Sequence, residues 1–411
     1  MNTIDKIVAR QVLDSRGKPT VEVDMYCGID WVRAMTPSGA STGQFEAHEL
    51  RDKGSHYFGQ SVLKAVQNVN EIIGPKLQGE SVEDQAHIDE ILVHLDGTPN
   101  KRNLGANAIL PVSIATVKMA ATKRRIPQFR YIAELAETPR VQMPLLFANV
   151  INGGLHADSK LNIQEHWVIP QRATFAENIE ACVMLYNVIG TMIHKKYGIG
   201  TTNVGDEGGF VPPMTKVNEP FDLMLSAIKE LNLARTVRLG ADLAASSFYS
   251  DGKYELQEKA FTTEEFVAVV KEMIDHYELF AVEDPFEEND FRSFSALMAA
   301  KGGNTWIIGD DLTVTNVERL QKADTQKACN AVIIKPNQIG TISEVIQAVQ
   351  FARSHKMRYI VSHRSGETED SFIAELAVGL AADAIKLGAP ARGERTAKYN
   401  ELIRIDQLLQ N

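Results

Sequence analysis

Apolar runs in the second half of this chain repeatedly end on a charged side chain. LNIQE ends at Glu165, VRLGAD at Asp242, LFAVED at Glu283-Asp284 and TWIIGDD at Asp310-Asp311. AVIIK ends at Lys335, RYIVSHR at His363-Arg364 and DAIK at Lys386, while the Gly-rich turn VGDEGGF adds Glu207. A single charged end of this kind reads as a strand reaching water. The recurrence reads as side chains aimed at a common point. Asp242, Glu283 and Asp310 are hard oxygen donors that would repel one another if brought together; Mg²⁺, which takes oxygen ligands octahedrally, would resolve this. Neutralisation by nearby Lys and Arg would do so as well. Zinc is poorly served, because the cluster has no Cys and the histidines lack ligand spacing. Arg364, Ser365 and Gly366 offer a guanidinium fork and turn N–H groups, which suit a phosphate or carboxylate. The same stretch also reads as a capped helix start, with Ser365 and Thr368 as caps. Lys335 is the oddest member. An ammonium at the edge of a buried strand is costly unless it pairs, shifts its pKa or reaches water.

To bring residues from 165 to 386 to one place, the chain needs strands that all finish at one rim. PLLFANVI, LNIQEHWVIP, VRLGADLAAS, LFAVEDP, TWIIGDDL, AVIIKPN, RYIVSHRS and DAIKLGA are separated mostly by helical patterns such as FAENIEACVMLYNVIGTMIHKKY. Alternating strand and helix predicts a parallel sheet under helices, and about eight such strands fit a closed α/β barrel with its site at the strands' C-terminal rim. The first part differs. KIVARQVLDSRGKPTVEVDMYC alternates about the turn Ser15–Pro19, as a hairpin does. Helical spacing runs from Gln60 to Thr122, with breaks expected at Gly74-Pro75 and at Asp96–Pro99. The chain therefore reads as α/β: a modified (β/α)8 TIM-like barrel over 137–411, preceded by a smaller α+β capping domain over 1–136.

With 43 basic and 53 acidic residues the formal charge is -10, which argues against nucleic-acid and anionic-membrane surfaces but leaves room for a local anion site. The 44% hydrophobic content fits a large core. Cys27, Cys182 and Cys329 are far apart and form no C-x-x-C pair, which predicts a reducing, cytoplasmic setting. The charged start MNTIDKIVARQ does not read as a signal peptide, and no apolar run approaches a membrane span.

GASTG, HAD, NIQE, VGDEGG, ADLAAS, VEDPF, GDDLTVTN, IIKPNQIGT, SHRSGETED and KLGAPARGER follow one another as they do in the enolase (phosphopyruvate hydratase) family, and the chain resembles that family from LDSRGKPTVEV to KYNELIRI. The resemblance implies Mg²⁺-dependent dehydration of 2-phosphoglycerate to phosphoenolpyruvate, with two ions per active site. Asp242, Glu283 and Asp310 would hold the first ion; Ser41 would help to hold the second, with the substrate phosphate. Lys335 would be the base for the C2 proton, its pKa lowered by the metal ions and by Lys386. Glu207 would protonate the leaving 3-hydroxyl, with Glu165 beside it to hold a proton or orient water. Lys386 would pair with the substrate carboxylate, and Arg364 and Ser365 would hold the phosphate. His156, Gln164 and His363 complete the expected substrate-binding set, and Ser41–Gly43 would form a lid. Family resemblance also suggests a homodimer or a ring of dimers.

The sequence departs from the family at several points. His166-Trp167 stands where Phe-Met is usual, Leu387 where Thr is common, Leu155 where a polar residue is common, and Pro336 where Val or Phe is frequent. These changes raise an alternative: a paralogue acting on a related phosphorylated carboxylate, such as one forming carboxyphosphoenolpyruvate. A purely adhesive or scaffold role is the third reading. Strand alternation predicts that His166 turns away from the side faced by Glu165 and packs on a helix.

Overall fold

The computed structural model describes residues 2–39 and 43–410. β1 (Lys6–Leu13), β2 (Pro19–Cys27) and β3 (Asp30–Met35) form an antiparallel sheet. The β1–β2 turn is closed by Asp14, whose Oδ1 accepts the Arg16 and Lys18 N–H groups at 2.8 and 2.9 Å, and Gly17 supplies the φ of 70° that the turn requires. The 19-residue helix Ala106–Arg124, buried nearly throughout, packs across β2 and β3. The expected break at Asp96–Pro99 is present: Gly97 takes a left-handed C-cap, and the Asp96 carboxylate gathers the N–H groups of Thr98, Asn103 and Leu104. The expected break at Gly74-Pro75 is not a break. The preceding turn, Asn68–Ile73, widens to a π-helix, and Pro75 sits in the first turn of Gly74–Leu77, where its missing N–H does little harm.

β4 (Leu145–Asn152), β5 (Glu165–Pro170), β6 (Val237–Asp242), β10 (Ala281–Glu283), β11 (Trp306–Gly309), β12 (Ala331–Ile334), β13 (Arg358–Ser362) and β14 (Ala384–Lys386) close into a barrel. Between β6 and β10 lies a small antiparallel ribbon, β7 (Tyr249–Ser250), β8 (Lys253–Leu256) and β9 (Lys259–Phe261). All eight expected strands are barrel staves. One runs the wrong way for a uniform parallel barrel: β5 is antiparallel to both β4 and β6. Glu165 was read as a C-terminal strand end, but it opens β5. It still reaches the common rim, because reversing the strand puts its start where the others end: Glu165 pairs in register with Asp242 and Asn152.

Strand alternation then sorts the side chains. Phe147, Trp167, Ile169, Ala281, Trp306, Ile308, Ala331, Ile333, Ile360 and Ala384 form a core separate from the main one. Stepping two residues from members of this set toward the rim reaches Glu165, Glu283, Asp310, Lys335 and Lys386. The charged layer thus stands on an apolar plug, as layered filling of a barrel dictates. The N-terminal part reaches this rim: Ser38 and Gly366 exchange backbone hydrogen bonds of 2.8 Å, and the Ala47 N–H donates to the Gln338 carbonyl at 2.8 Å.

His166 points the other way, as alternation predicts. Its ring meets Phe221 of the helix Asn218–Glu230 edge-on, with centroids 5.1 Å apart. Nδ1 lies 3.0 Å from the Ile151 carbonyl, which can only accept, so Nδ1 carries the proton. Burial lowers this imidazole to about 4. A neutral buried histidine contributes stability fully above its unfolded pKa of ~6.5 and loses it as pH falls toward the folded value. Going from pH 7 to 5 should therefore cost about 2 kcal/mol through this residue. Urea unfolding at both pH values should show a smaller pH penalty in His166→Phe than in the natural chain; equal penalties would exclude the effect.

Candidate active site

The described members of the sequence-predicted set lie together at the barrel mouth. His156, Gln164, Glu165, Glu207, Asp242, Lys335, His363, Arg364, Ser365 and Lys386 line one small enclosed space with Ser362. Glu283 and Asp310 lie beside it, paired with its Lys386 and Lys335. Ser41 lies outside the described residues. A wider open groove of about 840 Å³ runs alongside, past Leu155, Lys160 and Lys216, and holds none of these groups.

Two ammoniums organise the carboxylates. Lys386 Nζ stands 2.9 Å from Glu165 Oε1, 3.0 Å from Asp242 Oδ2 and 2.9 Å from Glu283 Oε1. Lys335 Nζ pairs with Asp310 Oδ2. Gln164 Nε2 donates to Asp242 Oδ2 at 3.2 Å, and Gln338 Nε2 donates to Asp310 Oδ1 at 2.9 Å. Burial disfavours the charged form of each lysine, but the facing carboxylates outweigh it. Asp310 raises Lys335, and Asp242, Glu165 and Glu283 raise Lys386 well above the ordinary lysine range. The sequence-based expectation of a lowered Lys335 pKa is therefore not met in the chain alone, because the ion pair with Asp310 holds the proton on. Burial, then the Asp242 charge, pushes Glu283 well up, whereas Lys335 and Lys386 overcome burial to bring Asp310 down.

On the other side, His156 Nδ1 lies 3.4 Å from Glu207 Oε1 and 3.7 Å from Glu165 Oε1. His363 Nε2 lies 3.3 Å from Glu207 Oε1, and Asn149 Nδ2 donates to Glu207 Oε2 at 3.0 Å. Arg395, wholly buried, donates to His363 Nδ1 at 2.6 Å. A guanidinium cannot accept, so the proton of neutral His363 sits on Nε2, toward Glu207. Burial raises Glu165 well above the carboxylate range, and the neighbouring Glu207 charge adds to this. Glu207 goes well below, because His156, His363 and Lys386 overcome its burial. The two carboxyls are thus pushed in opposite directions, Glu165 toward its neutral form and Glu207 toward its charged form.

Arg364 makes a two-point pair with Glu46, at 3.0 and 3.1 Å, and donates to Asn337 Oδ1 at 2.8 Å. The Ser365 carbonyl accepts from Arg395 Nη2 at 2.6 Å. Sequence reading missed Glu46, Asn149, Gln338 and Arg395. Each is a polar residue that looks solvated until the fold buries or pairs it; only the NQIG turn, directly after Lys335, hinted at Gln338.

The donor set suits a divalent cation. Asp242, Glu283 and Asp310 come from the neighbouring strands β6, β10 and β11, and buried Glu283 Oε2 has no hydrogen-bond partner among the described residues. All three offer oxygen. The groups whose ligand atoms already lie within 4.8 Å of one another are His156, Glu165 and Glu207, and Asp284, Asp310 and Asp311. The expected trio Asp242, Glu283 and Asp310 is not one of these groups; Lys386 Nζ lies 3.0 Å from Asp242 and 2.9 Å from Glu283.

A charged barrel mouth with paired acids, two buried amines and an oxygen-donor carboxylate set is suited to acid–base chemistry on an α/β barrel. The family model "Enolase, C-terminal TIM barrel domain" matches residues 140–411 and "Enolase, N-terminal domain" matches 4–132. Similar curated proteins, each named "Enolase", come from Methanothrix thermoacetophila (47% identity, 99% of this chain and 96% of the relative), Methanocaldococcus jannaschii (48%, 99% and 95%) and Solanum lycopersicum (46%, 100% and 96%). The chain belongs to the enolase family.

Proposed function

We infer that this chain removes water from 2-phospho-D-glycerate to give phosphoenolpyruvate, the step shared by glycolysis and gluconeogenesis. The observation that carries this reading is the placement of Lys335 and the Glu165–Glu207 pair around one enclosed space with Lys386 and Arg364. Arg364 and Ser365 would take the phosphate, with Arg364 exchanging its pairing to Glu46 for the ligand. Lys386 would hold the substrate carboxylate, with His156, Gln164 and His363 around it. Lys335 Nζ would accept the C2 proton. The C3–O bond then breaks as the C2–C3 double bond forms, and Glu207 would deliver the proton that makes the leaving hydroxide water, drawing it from the Glu165 side of the pair. Lys335 can act as a base only when its ammonium is disfavoured. Were Asp310 taken up as a metal ligand, it would steady that ammonium less, and burial, which already disfavours it, would weigh more.

Asp242, Glu283 and Asp310 would hold one Mg²⁺, and Ser41 with the phosphate a second. When bound, these ions would supply the positive charge that tolerates a second negative charge on the substrate carboxylate. One unit pair near ~4 Å is worth roughly 4 kcal/mol at an effective dielectric of ~20, and a dication about twice that.

The alternative substrate rests on His166, Trp167 and Leu387. His166 packs on a helix, Leu387 lies in the main core, and Trp167 lies in the inner plug; none lines the enclosed space. Nothing here favours that reading over the first.

We put the domain boundary between 136 and 137; the connection between the helix Gln128–Leu135 and β4 supports this reading. No helix among the described residues is long and apolar enough to cross a membrane. The free, buried Cys27, Cys182 and Cys329 are in keeping with the reducing cytoplasmic setting we propose. Family membership supports a homodimer or a ring of dimers, and light scattering would distinguish them.

Absorbance-monitored formation of phosphoenolpyruvate should be seen with Mg²⁺, vanish with a chelator and return when Mg²⁺ is restored. No turnover by a pure, metal-loaded sample would overturn the reading.

A further inference from the structure

Trp167 fills the layer immediately beneath the charged rim, and its polar edge is used there. The indole Nε1–H donates to Glu165 Oε2 at 2.8 Å. The ring is fully buried, with the Phe147 centroid at 5.1 Å, and the paired strand makes way for it: a Cβ on Gly240 would stand 2.9 Å from the indole. Lys386 Nζ lies 5.1 Å from the indole centroid. The aromatic residue is thus locked in place and touches two of the groups placed in the reaction.

A glutamate carboxyl turns about a broad, roughly two-fold terminal torsion, so packing alone does not choose which oxygen faces the substrate. Oε1 has Lys386 at 2.9 Å and His156 at 3.7 Å, but both of those side chains also face other acids. Among the described contacts, the Oε2 partner is the indole. Indole donates and cannot accept, and a buried tryptophan N–H needs a partner.

We propose that Trp167 is a positioning residue for Glu165: its N–H ties down Oε2, so that Oε1 is held toward Glu207 and the reacting space. The proposal rests on the functional reading above. It requires that tryptophan act here through its N–H and not only through its bulk.

The test separates these two roles. Trp167 is replaced by β-(3-benzothienyl)alanine, in which sulfur takes the place of the N–H with nearly the same shape, and in parallel by Trp167→Phe. Kinetics on 2-phosphoglycerate are measured with saturating Mg²⁺, and folding midpoints are recorded. Turnover by the natural chain tests the functional reading itself, and only then do the variants bear on Trp167. Both variants should lose about tenfold in kcat with KM changed by less than about twofold, the signature of an interaction used in the transition state. The benzothienyl protein should stay folded, with a midpoint no lower than that of Trp167→Phe, because it keeps the bulk and loses only the N–H. A natural kcat in the benzothienyl protein would overturn the proposal even if Trp167→Phe fails to fold. So would a change confined to KM, or a loss that tracks a fall in folding midpoint.

Discussion

Lys335→Ala is expected to lower kcat by about 10⁴-fold, the upper range for losing a positioned general base. The amine stands at the end of β12, where alternation aims it inward after Ala331 and Ile333. It is buried, pairs with Asp310, and has Arg364, Lys386 and Glu283 as its other electrostatic neighbours. Among the described residues no other amine of the mouth is placed to stand in, because Lys386 is committed to three carboxylates. The variant should still fold. Asp310 keeps the Gln338 donor at 2.9 Å and, with Mg²⁺ present, a cation. Circular dichroism and steady-state kinetics on the same preparation check both statements. Residual kcat within about tenfold of the natural chain would remove Lys335 from the role of base.

Lys386→Met should have the second-largest effect, and on two quantities. Without metal, Glu165, Asp242 and Glu283 would lose the one ammonium they share. Removing one partner of a buried ionic group costs about 3–5 kcal/mol, because uncompensated charge is left behind. Some of that is recovered if a carboxyl takes a proton, which burial already favours at Glu165 and Glu283. The metal-free variant should therefore unfold at markedly lower urea concentration than the metal-free natural chain. Mg²⁺ should close most of that gap, since a dication held by Asp242 and Glu283 would stand in for the lost charge. Turnover should not recover in parallel, because the proposed partner of the substrate carboxylate is gone; kcat/KM should stay down by about 10³-fold. Equal unfolding midpoints without metal would show that Lys386 does not hold the cluster together.

Much of this arrangement is legible in the chain because strand alternation and strand ends are local properties. Apolar, small and charged positions at steps of two place Lys335 above Ile333, Glu283 above Ala281 and Lys386 above Ala384 before any contact is known. Strand direction is not local in that sense, and the reversal of β5 escapes a pattern-based reading. A signal was present: residues 153–164 link β4 to β5 and contain Gly153-Gly154 and no helical spacing, whereas a parallel crossover usually needs a helix. The electrostatics were harder still. Whether Lys335 gains or loses its proton depends on which of Asp310 and a cation it faces, and the sequence names both without ordering them. Asn149 and Arg395 fix Glu207 and His363 through contacts far apart in sequence, which composition cannot show.

Lys335 is expected to take the proton from C2 whether or not the acid that expels the hydroxyl is present. The direct measurement is loss of label from 2-deuterated 2-phosphoglycerate into water, followed by NMR with Mg²⁺ present. The account predicts exchange by the natural chain, none by Lys335→Ala, and continued exchange by Glu207→Gln although its product formation stops. Exchange by Lys335→Ala at the natural rate would contradict it.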